Sequence, residues 1–225
     1  MLLAIETSDR LCAACLLDGA TGSIAASMTL DIERGHAERL MGMIQDVLNE
    51  AGIGYADLSG IAVCVGPGSF TGIRVALATA TGLSIALKIP VLGVTALQAL
   101  ASQAQSLARG RPILAVIDAH RGDVYVQQFT ADALPEKQPR QVSVMEAAAM
   151  PSAHGSLWCG AGAGLIAAIA ASPLQIAESV RLPSVDAVAL ATLHPAMTVA
   201  PKPLYLRKPD AKPQESYTQA RALRS

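Results

Sequence analysis

The strongest constraint on this chain is an order of apolar runs and glycine turns that occurs twice. Strand-like runs at residues 2–6, 11–17 and 23–30 lead to helical periodicity over 36–51, where Ala37, Leu40, Met41, Ile44, Val47, Leu48 and Ala51 recur at i, i+3, i+4 and i+7. Gly52 stands where a C-cap belongs, and Asp18-Gly19-Ala20-Thr21-Gly22 is a turn signal between the second and third strands. A buried strand at 60–65, a glycine-proline loop, a helix over 71–87, a strand at 90–94 and a helix over 95–108 follow. The second half repeats the grammar. Strands at 112–118 and 123–129 flank His120-Arg121-Gly122, and a strand at 140–144 precedes a short Ala-rich helix with capping-box spacing between Ser143 and Glu146. A strand at 157–159, the turn Gly160-Ala161-Gly162, a helix to Ala171 and a helix over 184–193 complete it. Two strand-strand-strand-helix-strand-helix units predict a duplicated α/β architecture: residues 1–108, residues 109–200, and an extended, loosely docked tail over 201–225.

Composition removes several classes of protein. With 52% hydrophobic and 16% charged residues the chain has the opposite of a disordered composition. Its 42 alanines favour closely packed helices over a core of large side chains. A formal net charge of -1 argues against a protein that coats nucleic acid or an anionic membrane. Met1-Leu2-Leu3-Ala4-Ile5-Glu6 lacks a basic n-region, and the charge-free stretch 157–177 is broken by three glycines and Pro173, so the expectation is a cytoplasmic protein with no membrane span. Four cysteines then read as reduced thiols. Cys12 and Cys15 have C-x-x-C spacing, but on a strand they point to opposite faces and so belong to the core.

The loop Gly66-Pro67-Gly68-Ser69-Phe70-Thr71-Gly72 joins a strand to a helix and could aim N–H groups at an anion, or could be a tight connection and no more. It is neither a Walker A loop nor a dinucleotide fingerprint, since Ile73-Arg74 follows Gly72 and the glycine spacing is one residue too wide. Arg74 reads either as an anion ligand or as a solvated cation. No histidine has a partner at i+4, and His36-Ala37-Glu38 lacks the P-C-x-x-C of a deaminase. No serine sits in G-x-S-x-G, so Ser69 is not at a nucleophile elbow. Neither a catalytic group nor a metal site emerges.

The helix after the loop gives a different clue. It reads TGIRVALATATGLSIAL, with Arg74 its only charge, so it must be covered on more than one side. Ala78, Gly82 and Ala86 form a stripe at i, i+4 and i+8 that admits a close neighbour, from this chain or from another. His36 and Met43 widen the apolar arc of the helix over 36–51, with Leu40 and Val47 inside it. Side by side, the two helices would form an apolar patch of the size that marks an interface.

Four strings, Ala4-Ile5-Glu6-Thr7-Ser8, His36-Ala37-Glu38-Arg39-Leu40, Gly66-Pro67-Gly68-Ser69-Phe70-Thr71-Gly72-Ile73-Arg74 and Asp118-Ala119-His120-Arg121-Gly122-Asp123-Val124-Tyr125, together resemble the TsaB (YeaZ) family of threonylcarbamoyladenosine biosynthesis. The resemblance extends to Pro203-Leu204-Tyr205-Leu206-Arg207-Lys208. It implies an actin-like ATPase fold and a non-catalytic subunit that pairs with the catalytic paralogue TsaD and works with the ATPase TsaE, with tRNA met mainly through the complex. Ala96 and Leu100 fall where the paralogue carries two metal-binding histidines. The implied interface comprises His36, Leu40, Met43, Val47, Arg74, Ala78, Gly82 and Ala86, and serves a homodimer when the chain is alone. Glu6, Thr7, Gly160 and Gly162 stand where actin-like proteins contact phosphate and adenosine, which implies ATP or ADP at the junction with the partner rather than an intrinsic cofactor. Two alternatives remain: an actin-like ATPase or small-molecule kinase acting alone, and a tRNA-binding tail carrying Lys202, Arg207, Lys208, Lys212, Arg221 and Arg224 against Asp210 and Glu215.

Overall fold

A computed structural model describes residues 1–150 and 155–207. The first sheet contains β1 (Leu2–Glu6), β2 (Leu11–Asp18), β3 (Ser23–Asp31), β4 (Gly60–Cys64) and β5 (Val91–Val94), in the order β3-β2-β1-β4-β5. The hairpin strands pair antiparallel, with Ala4 opposite Cys15, while β4 and β5 run parallel to β1, with Ala4 opposite Ala62. The second sheet has the same order: β8 (Arg140–Ser143), β7 (Asp123–Phe129), β6 (Ile113–His120), β9 (Leu157–Cys159) and β10 (Gln175–Ile176). The strand at 90–94 and the helices over 95–108 and 184–193 appear as β5 and the last helix of each half, and β10 is the one strand of the second sheet that the sequence did not mark.

The helices are α1 (His36–Glu50), α2 (Phe70–Leu87), α3 (Ala96–Ala108), α4 (Val144–Ala148), α5 (Ala163–Ala167) and α6 (Val185–Ala191). Local capping sets their starts. The hydroxyls of Ser69, Thr95, Ser143 and Ser184 accept from Gly72, Gln98, Glu146 and Ala187 N–H groups, supplying partners that a helix start otherwise lacks. Helix α5 stops at Ala167, short of the expected Ala171. Leu165 on α5 and Ile169 just beyond it face solvent, and Pro173 bars Ser172 from helical geometry.

Alternation along the strands gives each sheet two apolar faces. Leu3, Ile5, Cys12, Ala14 and Leu16 pack outward against α1 and α2, whereas Ala4, Ala13, Cys15 and Leu17 pack inward against α6. The two cysteines lie on opposite faces, as their spacing predicts. On the second sheet α4 and α5 cover the face bearing Leu114, Val116 and Trp158, and α3 covers Ile113, Ala115 and Cys159. The central helices are thus exchanged: α3, which ends the first half, lies on β6 and β9, and α6, which ends the second, lies on β1 and β2. They also pack on each other, and Ala96 and Ala99 meet Val188 and its alanine neighbours in one cluster.

After α6 the described chain docks on the first half. Val199 bridges antiparallel to Gly93, and the Leu204 N–H donates to the Val65 carbonyl at 2.8 Å. Lys208, Lys212, Arg221 and Arg224, with Asp210 and Glu215, lie outside the described residues.

Candidate interface and interdomain cleft

Helix α2 is long and apolar enough by composition to cross a membrane, yet it is a partly covered helix of the first half. One side, bearing Ile73, Ala76, Leu77 and Ala80, is buried on the first sheet. The other presents Arg74, Ala78, Gly82, Ile85 and Ala86 to solvent, with Ile85 74% exposed. The small-residue stripe therefore faces away from the chain's own core, and a Cβ built on Gly82 meets nothing within 4 Å.

Helix α1 corrects half of the expected surface. Leu40, Met43 and Val47 are buried among Leu3, Ile44 and Leu48, so they hold the helix to the sheet and are closed to a partner. The wide apolar arc has an internal cause: α1 packs on β2 and β3 and also against α2. His36 is half-buried and its Nε2 lies 3.1 Å from the Asp9 carbonyl. The outward face carries Ala37, Met41, Gly42 and Gln45 beside the charged and polar Glu38, Arg39, Asp46, Asn49 and Glu50, with Met41 45% exposed. Sequence reasoning passed over Met41 as a core position and did not use Gly42. A glycine in a helix interior, with no neighbour within 4 Å of its missing Cβ, was the available signal.

Between the halves lies an open cleft of about 1320 Å³. Its first wall is built by Ser8 to Arg10, residues 33–38 and the Gly68 to Gly72 loop; its second by residues 117–120, Tyr125, Arg181 and Arg207. The elements that grip phosphate in an actin-like nucleotide site are here bound to one another. The Ser69 N–H donates to the Ser8 carbonyl at 2.7 Å, the Gly72 N–H to the Ser69 hydroxyl at 3.2 Å, and the Thr7 hydroxyl to the Gly72 carbonyl at 2.7 Å. Gly68 and Gly72 are required because a Cβ at either would strike the carbonyl of Ser8 or Thr7. In the second half the Gly160 and Gly162 N–H groups donate to the Val180 and Val116 carbonyls. The Thr7 hydroxyl and the Gly160 and Gly162 N–H groups are thus engaged within the chain.

Glu6 is fully buried beneath this loop. One carboxylate oxygen accepts from the Ser8 N–H, and the other has no partner. Burial pushes its pKa up to about 6, against the lowering influence of the nearby Cys64 thiol and of Ser8. Cys64 donates weakly to the Ser8 hydroxyl at 3.4 Å, and burial raises its thiol well above the ordinary range. Cys12 and Cys159 are pushed up to about 11 and 12 for the same reason, so these thiols are packing groups rather than nucleophiles. Ala96 and Leu100 are buried apolar residues of α3 and offer no ligand atom.

Arg74 is not a freely solvated cation. Its guanidinium lies 3.6 Å above the Phe70 ring, and its Nε donates to the Tyr205 hydroxyl at 3.1 Å.

Two sheets of identical order, each a hairpin extended by parallel strands, with helices between and outside them, define a protein of the actin-like ATPase fold. Residues 28–152 match the family model described as TsaD, tRNA N6-adenosine threonylcarbamoyltransferase. The chain belongs to the TsaB/YeaZ family. It is 34% identical to the tRNA threonylcarbamoyladenosine biosynthesis protein TsaB of Escherichia coli over 58% of this chain and 55% of that protein. The match thus spans about half the length of that curated relative. An uncharacterized protein of Mycobacterium tuberculosis is 39% identical over 80% of this chain and 79% of its own. The structure of YeaZ from Pseudomonas aeruginosa superposes with a TM-score of 0.78 at 32% identity, covering 91% of this chain and 99% of that one.

Proposed function

We propose that this chain is a non-catalytic subunit for threonylcarbamoyladenosine modification of tRNAs that read codons beginning with A. In this reading it pairs with a TsaD paralogue, which performs the transfer, and TsaE serves the pair. The observation that carries the reading is the outward face of α1 and α2, where Gly42 and Gly82 sit in helix interiors with no neighbour within 4 Å of a built Cβ. Each glycine costs its helix about 1 kcal/mol relative to alanine, and no packing contact among the described residues offsets that. A helix backbone from another chain, approaching closely along Met41 and Gly42 on one side and Ala78, Gly82 and Ala86 on the other, accounts for both. A second copy would use the same face when the partner is absent. ATP or ADP belongs in this reading to the junction with the partner, since Thr7, Gly160 and Gly162 have their donors engaged within the chain.

The test is co-purification of the chain with TsaD from the same organism, combined with threonylcarbamoyl transfer to tRNA. Gly82→Arg is expected to abolish the complex and the dependent activity without lowering the thermal unfolding temperature of the free chain, because the position is open. Undiminished pairing of this variant would refute the interface. ATP turnover by the purified chain without a partner would refute the subunit reading.

A further inference from the structure

Residues 204–207 cross from one half of the molecule to the other beside the cleft. Leu204 adds to the first half through its hydrogen bond to Val65 and its packing on the outer core. Tyr205 stacks on Phe70 with ring centroids 5.5 Å apart and accepts from Arg74, so its anchor is the first turn of α2. Two residues later the chain has reached the second half: one guanidinium nitrogen of Arg207 lies 3.2 Å from the Asp123 carboxylate and 3.5 Å from the His120 carbonyl. Asp123 is held for this contact by Gln141 of β8, which donates to the same oxygen at 2.6 Å. His120, Arg121 and Gly122, which turn the chain from β6 to β7, all have positive φ, between 58° and 84°. The turn that Arg207 holds is therefore a fixed shape. Arg207 itself lines the cleft, and Ser69 and Thr71, neighbours of Phe70, line the opposite wall.

We infer that residues 204–207 are a strap that sets the width of the cleft. The other connections between the halves run through α3 and α6, whose contact is built largely from alanine and valine. Small, smooth side chains let packed helices slide by small amounts, which is the shear mode of domain movement. The Ser27 hydroxyl on Asp186 at 2.6 Å and the Ser184 N–H on Gln103 at 3.0 Å are polar contacts along this seam, away from the cleft mouth, and the strap supplies one at the mouth itself. Its components differ in chemistry: an aromatic stack with a cation at one end and a part-buried ion pair, with side chains 26% and 32% exposed, at the other. Either end can therefore be released alone.

The four native cysteines are buried, which allows spin labels to be placed on introduced cysteines. Gln45→Cys on α1 and Leu165→Cys on α5, both exposed, report the separation of the halves. In the full-length chain, Arg207→Gln and Tyr205→Ala are each expected to broaden the distance distribution and lengthen its mean. Hydrogen exchange at residues 120–123 should accelerate at least tenfold in both. The paired exchange Asp123→Arg with Arg207→Asp should restore the narrow distribution. Unchanged distributions in both single variants, with thermal melts showing them folded, would overturn the inference. If a variant does not fold, the same distribution in the wild-type chain at 0.1 M and 1 M NaCl decides: broadening at high salt supports an ion-paired lock, and invariance refutes it. These readouts need no partner protein, so they stand or fall separately from the pairing with TsaD.

Discussion

At the scale of single residues, Glu6 is the group whose environment has the clearest thermodynamic consequence. Its ordinary pKa of 4.5 rises to about 6 in the folded chain, because burial penalises the carboxylate. The folded state thus holds the proton more tightly than the unfolded state. Below about pH 4.5 both states are protonated and the penalty is absent; above about pH 6 it is fully present. The shift corresponds to about 2 kcal/mol. Glu6→Gln should therefore raise the urea midpoint at pH 7.5 and remove the fall in stability between pH 4.5 and 6, measured as midpoint against pH. The glycines of the neighbouring loop make an opposite prediction. Gly72→Ala drives a methyl group into the Thr7 carbonyl, a backbone atom that cannot step aside, and should cost more than about 2 kcal/mol in the same assay.

At the scale of elements, Met41 and Met43 separate folding from pairing. Met43 is 3% exposed and should cost about 2–4 kcal/mol when cut to alanine. Met41→Ala should change chain stability by less than about 0.5 kcal/mol and weaken TsaD binding, measured by calorimetric titration. Gly42→Ala and Gly82→Ala should stabilise the isolated chain by about 0.5–1 kcal/mol each, read from thermal melts, while weakening the complex. The helix periods, the glycine turns and the strand alternation made the elements legible, and the small-residue stripe on α2 with them, because each leaves a local pattern. What the sequence hid was set by neighbours. The apolar arc of α1 has the same pattern whether it meets a partner or the flank of α2, so Leu40, Met43 and Val47 read as surface. Strand β10 has two residues and no period to read. The donors of Thr7, Gly160 and Gly162 matched a phosphate site by position, but their partners Gly72, Val180 and Val116 lie far along the chain. Tyr205 likewise gave no sign that it would reach Phe70 and Arg74, more than 130 positions earlier.

At the scale of the whole molecule, the exchanged helices predict how the chain unfolds. Each sheet is covered on its inner face by a helix from the other half, so neither core is complete alone. Unfolding followed by far-ultraviolet circular dichroism and by fluorescence of Trp158, the one tryptophan, should give coincident transitions. A fragment of residues 1–108 should bind hydrophobic dyes and lack a cooperative melt. The exchange also imposes a schedule on synthesis. Most proteins with two halves can finish the first while the second is still being made. Here the inner faces of β1 and β2 wait for Val185 to Ala191, so the first half leaves the ribosome with a bare apolar sheet. At 5–20 residues per second, the roughly 80 residues from Ala108 to Ala191 take on the order of 4–16 s to appear. For that interval the nascent chain is a client for chaperones, and slow translation of the second half lengthens its exposure.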